Sequence, residues 1–142
     1  MYYKHILVAI DLSPDSEILI KKAISIAKPY QSKVSVIHVD INYLAPYTGI
    51  ININKKNIKK DKNNYTNNSI FKDLVMKSGY CIEKILIANG DLCQVLEDVV
   101  KKYNINVVIC GHHQDFWSKL TSSARKLIDK IQVDILIVPL NV

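Results

Sequence analysis

The densest run of chemically capable side chains is Gly111-His112-His113-Gln114-Asp115-Phe116-Trp117-Ser118-Lys119. Two adjacent histidines suggest a metal ligand pair or a general base, and Ser13 or Ser118 offers a hydroxyl nucleophile. Ligands that converge on one ion are usually spaced so that both point the same way, and the chain has no HxxxH or CxxC pair to supply that. A Ser13–His113–Asp115 arrangement lacks the GxSxG turn that would present the serine. No metal site and no catalytic group is expected. Cys81, Cys93 and Cys110 are odd in number and widely spaced, as free thiols of a reducing compartment would be. Cys110 ends an apolar run and reads as a small buried hydrophobe. His38, inside another such run, reads as a hydrogen-bonded core histidine.

Hydrophobic patterning shows what must position these groups. Tyr3–Ile10 carries Ile6 to Ile10 without alternation, the pattern of a strand covered on both faces. Ser13 as N-cap and Pro14 at the first helical position would start a helix running to about Tyr30, with Ile20, Ala23 and Ala27 on one stripe. Lys33–Val39 is a second strand, Asp40–Asn54 a long connection broken by Pro46 and Gly49, and Lys55–Ser78 a helix best defined in its second half. Cys81–Ala88 is a third strand. Asp91 caps the following helix, whose stripe is Leu92, Val95, Leu96, Val99 and Val100. Asn106–Cys110 is a fourth strand, Gly111–Trp117 a loop, Ser118–Lys130 a helix and Val133–Leu140 a fifth strand. The alternation predicts one α/β domain over residues 1–142, an open doubly wound five-stranded parallel sheet flanked by helices.

Ligands of such sheets bind beyond the carboxyl ends of the strands, where strand order reverses. Those ends carry Asp11, Val39-Asp40, Asn89-Gly90-Asp91 and Gly111 to Asp115. A phosphate seat there needs glycines so that backbone N–H groups reach the anion, yet neither GxGxxG nor GxxxxGK[ST] occurs. Asp11, Asp40, Asp91 and Asp115 fall on the same rim. Each unpaired carboxylate beside a triphosphate is repulsive by about 1 to 4 kcal/mol at about 4 Å. Lys119 and Arg125 offset part of that.

The stretches YKHILVAIDLSPDSE, KVSVIHVD, GDLCQVLEDVVKKYNINVVICGHHQDFWSKL and VDILIVPL resemble the universal stress protein family, and within it the A subfamily, from Tyr2 to about Leu140. The resemblance implies the Rossmann-like, adenine nucleotide α-hydrolase-like form of the sheet. Nucleotide-binding members carry G-x2-G-x9-G-[ST] after the fourth strand. Asp11 matches their ribose-contacting acid, Val39 their adenine-contacting backbone and Gly111 their first glycine. Gln114 stands at the second glycine. The third glycine and its hydroxyl partner fall on Ala124 and Arg125 without a gap, or on Thr121 and Ser122 with the loop shortened. A degenerate crevice of Asp11, Val39, Gly111, Gln114 and Ser122 implies the non-ATP-binding branch, without a cofactor. The family implies a cytoplasmic homodimer that protects against stress, including DNA-damaging agents, and has no intrinsic catalysis. An ATP-binding switch or weak ATPase is the alternative.

The 142 residues carry a net charge of +6 and 49% hydrophobic side chains, enough for a buried core. No apolar run approaches the roughly 20 residues of a membrane span, and residues 1–5 do not resemble a secretion signal. Arg125 is the sole arginine, which weakens a nucleic-acid reading. Lys55, Lys56, Lys59, Lys60 and Lys62 therefore read as a solvated helix face, with a nucleic-acid-associated basic module as the second alternative. Phe116 and Trp117 suit either a lid over the sheet or contact with a partner. Val133, Ile135 and Ile137 form an apolar last strand expected at a sheet edge, where pairing with a second copy would close a dimer. The downstream partner is not legible.

Overall fold

The computed structural model describes residues 2–11, 14–40, 50–52, 72–112 and 127–140. Its strands are β1 (His5–Ile10), β2 (Lys33–Asp40), β3 (Ile50–Asn52), β4 (Ile82–Asn89), β5 (Val107–His112) and β6 (Asp134–Pro139). They form one sheet in the order β3-β4-β2-β1-β5-β6. Five strands are parallel, as their alternation with helices predicts, and β6 takes the expected edge position. The unbroken apolar run of β1 has its cause in this order: β1 is central and all six of its residues are buried.

The five parallel strands are joined, among the described residues, by a short sixth that the sequence pattern does not show. Within the segment read as a connection, Ile50–Asn52 pairs antiparallel with β4 and becomes the opposite edge. Three residues are too few to show a period. The strand exists because β4, paired with β2 on one side, has a free ladder on the other. Two other boundaries move. The first helix, α1, spans Ser16–Ala27 with Asp15 at its N-cap, so Pro14 precedes the helix rather than beginning it. Ser13 lies outside the described residues. Gly111 and His112 extend β5 instead of starting a loop, because their register with Val138 and Pro139 continues the ladder to β6.

Each sheet face has its own core. Ile6, Val8, Ile10, Val34, Val36 and Ile109 meet Leu19, Ile20, Ala23 and Ala27 of α1. Leu7, Ala9, Ile37, Leu86 and Val108 meet Leu92, Val95, Leu96 and Val99 of the Leu92–Lys102 helix. Side chains as fully buried as Ile20 and Leu96 contribute about 1.5 to 3 kcal/mol each relative to exposure. Asp91 caps that helix as expected, accepting from the Cys93 N–H at 3.3 Å. Residues 72–77 and 127–130 are helical, in agreement with the ends of the two remaining helices. Among the described residues no helix is long and apolar enough to cross a membrane.

Candidate functional site

Among the parallel strands the chain order reverses between β1 and β5, which pair directly, so the crevice of this sheet lies above that pair. Asp11 follows the last residue of β1, Gly111 lies near the end of β5, and Val39 near the end of β2, the other neighbour of β1. The fold thus brings three of the five crevice residues to one place. Gln114 and Ser122 lie outside the described residues, as do His113, Asp115, Phe116, Trp117, Ser118 and the 55–62 lysines.

The Asp11 side chain is exposed, but it is not a spare carboxylate. Its Oδ1 accepts from the Ser16 hydroxyl at 3.2 Å, and Ser16 is fully buried in the first turn of α1. Asp15, at the N-cap, makes no side-chain cap hydrogen bond. Asp11 therefore helps tie the start of α1 to the end of β1. Asp91, on the same rim, is occupied by the Cys93 amide. Short polar side chains at strand–helix junctions are satisfied locally in this way, and because both donors are neutral the two carboxylates keep their negative charge on the rim.

Gly111 is buried, and it serves close packing. A Cβ on it would collide with Leu140 Cδ1 and lie 3.2 Å from both Leu140 Cγ and Leu19 Cδ1. The space of the missing side chain is filled by Leu140, just past β6, and by Leu19 of α1. Val39 is buried in the core on the side of the Leu92–Lys102 helix, so only its backbone is left for a ligand.

His38 is a core histidine, as expected: half-buried, with Nδ1 3.1 Å from the Ile10 carbonyl. The acceptor is a carbonyl, so Nδ1 carries the proton and donates. Cys110 is buried and desolvation pushes its thiol up to about 11, which makes it an inert apolar group at neutral pH. Cys93 is buried as well, and Cys81 is exposed.

His5 was missed by the sequence reading, because nothing local distinguishes it from the strand it opens. It is buried at the amino end of β1, with Nδ1 3.1 Å from the Tyr103 carbonyl and Nε2 2.7 Å from Ser35 Oγ. The carbonyl fixes the proton on Nδ1, so neutral Nε2 accepts from Ser35. Burial lowers its pKa most. The Tyr103 bond and Glu83 oppose that, and Lys33 and Lys84 add to it. Asn106 Oδ1 accepts from the amides of both Lys4 and His5, and the Asn106 amide donates to the His5 carbonyl. These bonds hold the loop before β5 against the start of β1, opposite the crevice.

The family model described as "Universal stress protein family" matches residues 2–139. "Universal stress protein A" of Yersinia pestis is 56% identical over 99% of this chain and 95% of its own length. Its namesake from Escherichia coli strain K12 is 54% identical over 99% and 97%. A crystal structure of a universal stress protein in complex with cAMP superposes with a TM-score of 0.69 over 98% of both chains, at 15% identity, a likeness of fold. With a sheet of the same kind and matching sequence along nearly its whole length, the chain belongs to the universal stress protein family.

Proposed function

We propose that this protein is a non-catalytic stress-protection factor, active against DNA-damaging conditions among others, that works in the cytoplasm as a homodimer and holds no adenine nucleotide in its crevice. The protective role follows the name shared by relatives more than half identical to this chain. One observation carries the crevice reading: the space beside Gly111 is filled by Leu140 and Leu19. A phosphate-seating glycine leaves its face open so that backbone N–H groups approach the anion. Gly111 is instead enclosed in a strand, and the sequence supplies Gln114 where nucleotide-binding members have their second glycine. Asp11, matched to the ribose contact, already accepts from Ser16.

A second reading is favoured by the neighbour solved with cAMP: the same fold, and so this chain, takes an adenine nucleotide. Titration calorimetry with Mg-ATP and with cAMP separates the two. Dissociation constants no tighter than about 1 mM, near −4 kcal/mol, are expected, and a low-micromolar constant for either overturns the reading. Survival of a deletion strain after ultraviolet exposure, with and without the restored gene, tests the protective role.

The dimer reading rests on β6, which is a sheet edge, with Ile137 on it 39% exposed and Ile135 half-buried. Val133, expected in that strand, precedes it by one residue. A bare apolar edge invites association, and antiparallel pairing with the same strand of a second copy is self-complementary about a twofold axis.

A further inference from the structure

A groove of about 510 Å³ opens at the amino ends of the last two strands, opposite the crevice. Its volume is within the range of small-molecule sites. The apolar lining is Val100 and Ile105 from one side and Ile131 and Val133 from the other. Around it stand Lys101, Lys130, Asn104, Asn106 and Gln132, with Glu97 as the single acid among the residues lining the groove.

The polar lining is rich in donors. Asn106 Oδ1 is spent on the Lys4 and His5 amides at 2.9 and 2.8 Å, so its NH2 group is what remains for a ligand. Lys130 is exposed and makes no ion pair among the described residues. Lys101 shares its charge with Glu97 at 3.3 Å. The backbone amides of Ile105, Asn106 and Ile131 are already bonded to Val100, His5 and Leu127. Those three amides are therefore not available to an anion, and the donors argued for it are side chains. Lys101 also offsets the carbonyl end of its helix, a role that calls for charge in the last turn but for none of the carboxamide donors.

We infer that this groove binds a small organic anion with an apolar body, a carboxylate or phosphomonoester, seated against the half-buried Val100 and Val133 with its head group toward Lys130 and the Asn106 side-chain NH2. The site is independent of the crevice, since the two lie at opposite ends of the strands. It shares only Val133 with the region read as the dimer edge.

The test is a chemical-shift titration of the full-length protein with 1-naphthoate, 1-naphthyl phosphate and uncharged 1-naphthalenemethanol. At least one anion is expected to saturate at about millimolar concentration, shifting residues 97–106 and 130–133. The alcohol is expected to bind about threefold more weakly or worse, as loss of one exposed charge contact implies. The tighter of the two anions assigns the head group. Lys130→Gln should weaken the anion about threefold and leave the alcohol unchanged. Glu97→Gln, which releases Lys101, should strengthen it. No saturation by either anion below about 10 mM, shifts centred elsewhere, equal binding of the alcohol, or indifference to Lys130→Gln overturns the inference.

Discussion

Replacing Gly111 with alanine tests whether the crevice glycine is a packing device. The added Cβ meets Leu140 Cδ1 inside contact distance and crowds Leu140 Cγ and Leu19 Cδ1, both at 3.2 Å. Leu19 is held in the core with Ile20 and Ala23, whereas Leu140 is the first residue after β6 and the freer of the two to give way. Overpacking of this kind costs about 1 to 3 kcal/mol, and one yielding neighbour favours the lower half of that range. Leu140→Ala alone removes a buried side chain and should cost about 2 to 3 kcal/mol, the low end for Leu→Ala at a site open to collapse. In the double variant the space left by Leu140 receives the new methyl group. Its destabilisation should fall short of the sum of the singles by about 1 kcal/mol or more, the coupling expected of touching residues. Urea denaturation of all four proteins, followed by circular dichroism, measures the cycle. Additivity within about 0.5 kcal/mol would show that the two residues are not in contact, and would remove the main support for a closed crevice.

The pH dependence of stability should carry the signature of His5. Its folded pKa is lowered, so its contribution is fully present above the ordinary value of 6.5 and is lost as pH falls from there through the folded value. Denaturation midpoints at pH 7.5, 6 and 5 should therefore decline, less steeply in His5→Gln. Ser35→Ala, which leaves buried Nε2 without its donor at 2.7 Å, should cost about 1 to 3 kcal/mol at neutral pH. A titration of the native protein with a disulfide reagent at pH 8 should modify the exposed Cys81 promptly and leave the buried Cys93 and Cys110 for unfolding; rapid loss of all three would contradict the burial. Ile137→Lys sets like charges opposite each other across the proposed twofold contact, and light scattering should report a monomer that circular dichroism shows to be folded. A folded, fully dimeric variant would place the interface elsewhere.

Periodicity alone determined much of the fold. Central strands are covered on both faces and so appear as unbroken apolar runs, as in Ile6–Ile10, and helices facing one core appear as stripes, as in Leu92–Val99. Local chemistry determined the Asp91 cap and the absence of a glycine-rich phosphate loop, since both are properties of a few adjacent residues. The tertiary structure decided what depends on partners distant along the chain. Ile50–Asn52 is a strand because β4 had an unpaired side, and no pattern three residues long announces that. His5 is a buried, neutral acceptor because Ser35 and Tyr103 arrive from 30 and 98 positions away. Gly111 lies in a strand under a leucine 29 residues downstream, so a residue that the sequence matched to the first glycine of a degenerate loop is a point of close packing in the fold.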